Sequence, residues 1–528
     1  MNNIYKQSLN RKQQQFFPPS LDEYVSEDNQ VRAIEDYVEL LDMVELGFTK
    51  ASLLSKDGQP AYHPKLLLKI YIYGYLNKIR SSRKLESEIK RNVEMMWLCA
   101  GLTPSYKTIA DFRKENAKAL KKVFREFVLL CKELDLITGE LVAVDGAFLR
   151  ANASKNQLIT KKTVVADLKE IDERIDHYLN KMTFTDNEEK KEKNFIVPTD
   201  KLSKMSKRKN KLDKNLALLE KMGITQYNRT DPGARLMVKP SHNLMAYNSQ
   251  IVVDDTFKFI VVTEVSSDNN DYGKLYNLSS ETKEITQTNE LTILADTGYY
   301  SAKEIEKCQR ENIDAIVAMP NTQKAQKNKG YYLHSDFKYD KEYDIFICPN
   351  QQRLTKSNAV ITKENGTKAY VYRVGSNLCN ACRLRDKCIP QKTAYKKVSR
   401  IEYDSAVIQH KKTMQTTRAK ELIKKRGSIV EHPFGTIKQT LGWSHFLVRG
   451  LEKVSGENAL IMFTYNFRRL LNLIGITLFR KLVIAVKEGN AEMIKQEIIT
   501  YIAHFIAYLD KYLVCIRFYS LEPNISRK

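Results

Sequence analysis

Between about residues 30 and 135, apolar positions recur at helical spacing. Leu66, Ile70 and Tyr73 share one face, and Ile89, Val93 and Trp97 share another. Gly101 and Pro104 interrupt the pattern, and Ser105 is placed to cap a second helix from Tyr106 to about Leu130. Two helices across a short Gly/Pro turn suggest a helix-turn-helix, although ordinary packed helix pairs carry the same signature. Past residue 135 the period changes. Leu141 to Val144 is a short apolar run closed by Asp145-Gly146, as in a buried strand. Residues 163–222 read as a long, charged helical hairpin, with Leu168, Ile171, Ile175 and Leu179 on one arm facing Leu212, Leu216 and Leu219 on the other. Strand patterns follow at residues 244–253 and 257–265, around a turn at Asp254-Asp255, and a helix is expected over residues 275–288. Leu291 to Ala295 is another strand, closed by Asp296-Thr297-Gly298; Ser301 opens a helix, and residues 315–318 form one more strand. Period-two strands followed by β-α-β alternation predict a mixed sheet covered by helices.

Composition narrows the setting. The chain has 528 residues, of which 42% are apolar, enough for full-sized cores and too many for a disordered chain. Its net charge of +23 favours a polyanion as partner, either nucleic acid or an anionic membrane. The uncharged stretch at residues 498–509 is shorter than the roughly 20 apolar residues of a spanning helix. Residues 1–17 lack the apolar core of a signal peptide. The expectation is therefore a cytoplasmic protein on nucleic acid. Residues 1–20 are polar and Gln-rich, and read as a flexible arm. Lys201, Lys204, Lys207, Arg208, Lys209, Lys211 and Lys214 form a dense basic block, suited to a solvated face or to phosphate contact.

Three carboxylates stand out. Asp145 and Asp296 each close an apolar strand beside a glycine, which is ordinary turn chemistry for either one alone. As a pair at the edge of one sheet they would repel unless a hard cation such as Mg²⁺ lay between them. The third is Glu431. Val430, Phe434, Ile437 and Leu441 repeat at helical spacing, and Pro433 belongs in a first helical turn that Ser428 can cap, which puts Glu431 at the helix start. Lys438 lies seven residues on, about two turns, on the same stripe. The pair suits a solvated surface, or a metal ligand beside a phosphate clamp.

Together these segments resemble a known family. Ala143-Val-Asp145-Gly, Leu294-Ala-Asp296-Thr-Gly-Tyr-Tyr-Ser301 and Val430-Glu431-His-Pro-Phe-Gly-Thr-Ile-Lys438 resemble the DDE transposases of bacterial insertion sequences. Pro64 to Leu76, Ser81 to Leu85, and Gly101-Leu-Thr-Pro104 to Phe112-Arg113 resemble the N-terminal domain of the same enzymes. The resemblance covers most of residues 20–475. It implies an RNase H-like α/β catalytic domain whose mixed sheet is flanked by helices. It also implies Asp145, Asp296 and Glu431 as ligands of two Mg²⁺ or Mn²⁺ ions, with recognition of terminal inverted repeats on double-stranded DNA and strand transfer into target DNA. The family's basic residue beyond the Glu maps onto Lys438. Gly427 stands where many relatives have Arg, and Arg426 is one residue out of step. Lys107 and Arg113, at the start of the second N-terminal helix, are the expected DNA contacts, and a homodimer on DNA is the expected assembly.

The domain organisation follows: a flexible arm over residues 1–20, an all-α DNA-binding domain over 21–135, and the catalytic domain over 136–475. Within the last lie a helical insertion at 163–230 and a small cysteine-containing β insertion at 320–400; helices at 476–528 end the chain. Cys99, Cys131, Cys308 and Cys515 sit among apolar neighbours and read as core thiols, whereas Cys348, Cys379, Cys382 and Cys388 cluster in the insertion. Such a set suits a closed structural Zn²⁺ site or a group of reduced thiols, with Lys387 and Lys392 beside it as backbone contacts for DNA. Two other functions fit the same residues: a nuclease of this fold with a task other than transposition, and a DNA-binding protein that no longer cuts. The intact Asp145, Asp296 and Glu431 disfavour the second.

Overall fold

The structure is a computed structural model that describes residues 20–51, 60–188, 199–238, 243–320, 328–362 and 367–519. Apart from Ser20, the arm expected over residues 1–20 lies outside the described residues, as does the side chain of Cys515.

Six helices come first: α1 (Gln30–Leu40), α2 (Pro64–Leu76), α3 (Ser82–Arg91), α4 (Val93–Leu98), α5 (Tyr106–Glu115) and α6 (Ala117–Glu133). Pro64 opens α2 at the position where its missing N–H costs nothing, and nearly every residue of α2 is buried. A helix apolar all round is a core helix, so α2 cannot lie against DNA. Two expectations are corrected. The single face of Ile89, Val93 and Trp97 is broken at Asn92, which ends α3 and caps α4 by accepting from Glu94 N–H; Ile89 is buried and Val93 exposed. The second helix is divided at Asn116, whose side-chain amide donates to Phe112 O and whose Oδ1 accepts from Thr49 N–H. Ser105 does cap α5, accepting from Thr108 N–H.

The sheet is built from β1 (Leu141–Arg150), β4 (Arg235–Val238), β5 (Asn243–Asp254), β6 (Ile260–Ser266), β7 (Leu291–Ala295) and β8 (Ile313–Val317). Its order is β4-β5-β1-β7-β8, with β6 also on β5. β5 runs antiparallel to β1, β4 and β6, whereas β1, β7 and β8 run parallel. This is the expected mixed sheet. Helix α9 (Leu275–Thr286) joins β6 to β7, and α10 (Ala302–Arg310) joins β7 to β8. Between β1 and β4, short strands β2 (Leu158–Thr160) and β3 (Gln226–Asn228) pair at the base of a hairpin of α7 (Lys161–Glu188) and α8 (Thr199–Lys221). Leu219 and Val164 bury there, with Leu168, Leu212 and Leu216 packed beside them.

After β8 a second sheet follows chain order: β9 (Lys338–Asp340), β10 (Ile345–Ile347), β11 (Arg353–Thr362), β12 (Lys368–Arg373) and β13 (Lys397–Ile401), each antiparallel to the next. Phe337, Phe346, Leu354, Tyr372 and Val398 give it a small core of its own. The chain returns through α11 (Ser376–Asn380), between β12 and β13, then α12 (Asp404–Gln415), α13 (Thr417–Gly435), α14 (Leu451–Ile474), α15 (Ile476–Lys487) and α16 (Ala491–Tyr519).

One continuous core runs from Val31 in α1 through the central sheet to Ile498 in α16. Gly456 of α14 lies so close to α6 that a Cβ there would sit 2.5 Å from Ala117 Cα, and Tyr37 stacks on Phe463. The N-terminal helices are thus packed onto the sheet through α14. Among the described residues, no helix is long and apolar enough to cross a membrane.

Candidate catalytic site

β1 and β7 are paired only from Leu141–Ala143 to Thr292–Leu294. Past that point the two parallel strands separate, and Asp145 and Asp296 flank the opening. Asp145 does not end its strand, as expected from sequence; it sits within β1, opposite Ile251 of β5, because the antiparallel pairing with β5 continues to Arg150. Asp296 follows β7 directly and accepts from Gly298 N–H at 2.8 Å.

Glu431 comes from α13, and here the sequence reading needs correction. The helix starts far upstream of Ser428, at Thr416, which accepts from Ala419 N–H. Ser428 instead donates to Lys425 O. Glu431 is therefore near the C-terminal end of α13, and Pro433 lies inside it. Proline removes one backbone donor and crowds the preceding turn. The helix widens just beyond it into a π turn over Thr436–Thr440, closed by Leu441 N–H on Thr436 O. Val430, Phe434, Ile437 and Leu441 are buried as expected. Glu431 and Lys438 share one groove of about 400 Å³ with Asp145, Phe148 and a fourth carboxylate, Asp271. The Lys438 ammonium lies 5.2 Å from the centre of the Phe434 ring.

Asp271, in the segment before α9, is a carboxylate that the sequence pattern does not mark. Its Oδ1 accepts from Asn248 Nδ2 at 2.8 Å and Gln250 Nε2 at 2.6 Å, both fully buried on β5. Tyr299, also buried, donates to Gln250 Oε1. The phenol is pushed far above its ordinary range by burial and then by Asp271, Asp145 and Asp296.

Burial raises the Asp145 carboxyl above the usual range; Arg426 and Gly146 N–H act against this, and Asp296 and Asp271 add to it. Arg426 Nη1 is 3.6 Å from Asp145 Oδ1. Among the described residues, no three acidic, histidine or cysteine side chains are set closely enough to hold a metal ion as they stand. The carboxylates thus interact electrostatically without ligand-like convergence. The donors nonetheless suit a divalent cation: all are carboxylate oxygens, and Asp296 and Asp271 bear electrostatically on Asp145.

The remaining expected site residues divide. Lys107 is exposed on α5. Arg113 is corrected: it is buried, with Nη1 3.1 Å from Glu457 Oε1 and 3.1 Å from the Tyr75 hydroxyl, so its guanidinium faces protein and not DNA. Cys348, Cys379, Cys382 and Cys388 line one small cavity of about 30 Å³. Gln352 N–H donates to Cys348 Sγ at 3.3 Å and Leu384 N–H to Cys382 Sγ at 3.4 Å. Burial raises the Cys388 thiol, opposed by Lys396 and reinforced by the other three cysteines. Lys387 and Lys392 are exposed. Cys99, Cys131 and Cys308 are buried core thiols.

Two family models match the sequence: a transposase domain (DUF772) over residues 19–115 and a transposase DDE domain over residues 347–471. No curated protein matches the chain. Among solved structures, the chain is similar to a piggyBac transposase in a synaptic complex with hairpin DNA, at 10% identity and a TM-score of 0.26, over 90% of this chain and 82% of that one. An overlap that loose assigns nothing to individual residues.

Proposed function

We propose that the chain is a DDE transposase, a reading supported by its matches to a transposase domain and a transposase DDE domain, and that it cuts DNA at the ends of its own insertion sequence and joins them to target DNA using Asp145, Asp296 and Glu431. The observation that supports this is the groove that Asp145 shares with Glu431 and Lys438, with Asp296 near enough to bear electrostatically on Asp145. Three antiparallel strands, β6-β5-β1, continued by parallel β7 and β8, give the sheet an RNase H-like order.

Asp145, Asp296 and Glu431 would hold two Mg²⁺ or Mn²⁺ ions, which in such sites activate a water and stabilise the leaving 3′ oxygen. The chain's own groups supply the rest. Lys438 clamps a phosphate of the strand in the groove. The freed 3′-OH is positioned in the same groove for strand transfer. Lys107 and its neighbours on α5 contact the terminal inverted repeats, and two copies act together as a homodimer on the double-stranded DNA of a bacterial nucleoid. In the insertion, Cys348, Cys379, Cys382 and Cys388 would hold one structural Zn²⁺, a reading that rests on the cavity they share. Lys387 and Lys392 would meet the DNA backbone there.

The test is cleavage of a duplex carrying the DNA that flanks the gene. Mg²⁺ should yield nicks ending in 3′-OH at short inverted repeats, and chelator should abolish them. Equal cutting with chelator, or no preference for the repeats over unrelated DNA, would contradict the proposal.

A further inference from the structure

We infer that Asp271 is a fourth acidic residue of the same site, held in place to bind a divalent cation with Asp145 and Asp296; the inference rests on the reading of that site given above. Three observations carry it.

Asp271 is fixed before any ion arrives. Two buried amides of β5 donate to its Oδ1, and the Gln250 amide is itself oriented by the buried Tyr299 hydroxyl. Both donations hold the carboxylate in one rotamer. A carboxylate held this way costs little further ordering when it binds an ion, which is the role outer partners play around metal ligands.

Space for it is made by two glycines. Side chains alternate across a strand, so Asp271 lies on the Gly146 face of β1 and meets Asp145 around the split past Ala143, where one groove takes in both. A Cβ on Gly146 would lie 2.7 Å from Asp271 Oδ1, closer than any real Cβ contact. A Cβ on Gly298 would lie 3.3 Å from Asp271 Oδ2 and 3.0 Å from Asp296 Oδ1. The glycines after Asp145 and Asp296 look like turn residues in the sequence. Gly146, however, lies within β1, and neither glycine has a left-handed backbone. Bare Cα atoms at both places let Asp271 approach the two strands that carry the aspartates.

Its remaining oxygen is directed into the site. Oδ2 faces the Gly298 backbone beside Asp296 Oδ1, and Asp271 lines the groove that contains Asp145, Glu431 and Lys438. A surface aspartate closing a turn needs neither buried amide partners nor glycines on two separate strands.

The test uses the full chain, freed of metal and titrated with Mn²⁺ alone, with binding read by calorimetry and by electron paramagnetic resonance of the free ion. Wild type should bind Mn²⁺ and Asp145→Asn should lose it. Asp271→Asn should weaken at least one ion by about 10–100-fold while melting as wild type does. Asp271→Glu, which keeps the charge, should recover part of that loss. If Asp271→Asn binds as tightly as wild type while Asp145→Asn does not, Asp271 alone is overturned. If wild type binds no Mn²⁺, or Asp145→Asn binds it unchanged, the reading of the whole site falls and Asp271 with it. Should Asp271→Asn fail to fold, Gln250→Met removes one amide donor and leaves the carboxylate; it should weaken Mn²⁺ binding in the same direction, and unaltered binding would overturn the inference.

Discussion

Asp145 illustrates the cost of a reactive group. Burial, Asp296 and Asp271 raise its carboxyl, against Arg426 and Gly146 N–H. A carboxyl raised in the folded state stabilises the fold when protonated, and that contribution is lost as pH rises from the ordinary range through the raised value. At neutral pH the metal-free protein therefore carries Asp145 as a burden. Asp145→Asn should melt a few degrees higher than wild type in chelator at pH 7, and the advantage should shrink as pH is lowered through the raised value towards the ordinary carboxylate range. A lower melting temperature for the variant at pH 7 would contradict this account of the charge. In the sequence Asp145 was visible as a candidate because it closes an apolar run. Asp271 is not, because it precedes α9 while its partners Asn248 and Gln250 lie on β5, and which segments meet is not written in either one alone.

Elements were legible where one period held and illegible where a single residue could mark either end of a helix. β7 matches its apolar run over Leu291–Ala295, and Ser105 caps α5 as its position suggests. The start of α13 was misplaced because Pro433 is favourable in a first turn, and the sequence offers no sign that a π turn downstream absorbs it in a last one. β1 extends beyond its apolar run because pairing along β5 carries it past polar Asp145 through Arg150. The cysteine insertion is a small element with five buried residues in its core. Cores this small usually need a staple. The protein washed with chelator should retain about one zinc per chain, and Cys379→Ser with Cys382→Ser should lose it along with protection of the β9–β13 amides from exchange. A metal-free wild type, or an exchange pattern unaffected by the substitutions, would leave the four cysteines as reduced thiols.

At the scale of the molecule, a buried ion pair adds to the apolar packing that holds the N-terminal helices on α14. Arg113 and Glu457 have side chains only 7% and 0% exposed. Glu457 Oε2 also accepts from Leu447 and Val448 N–H, so the same carboxylate fixes the loop that leads from the Lys438 turn into α14. Glu457→Gln leaves Arg113 buried without a counter-charge and should destabilise the protein by about 3–5 kcal/mol in denaturant unfolding. Replacing both partners with apolar residues, as Arg113→Met with Glu457→Leu, should recover part of the loss, the remainder being the acceptor that Leu447 and Val448 N–H lose. A Gln variant as stable as wild type would mean that the pair does not join the two units. Spacing alone put Arg113 on DNA; only the fold shows that the core claims it.

The central claim is that Asp145, Asp296 and Glu431 cut DNA. Its most direct test compares cleavage with binding on one flanking-repeat duplex in Mg²⁺, for wild type and for Asp145→Asn, Asp296→Asn and Glu431→Gln. The account predicts that each variant binds the duplex about as tightly as wild type while its cleavage falls below detection. Cleavage retained by any one of the three would contradict the assignment.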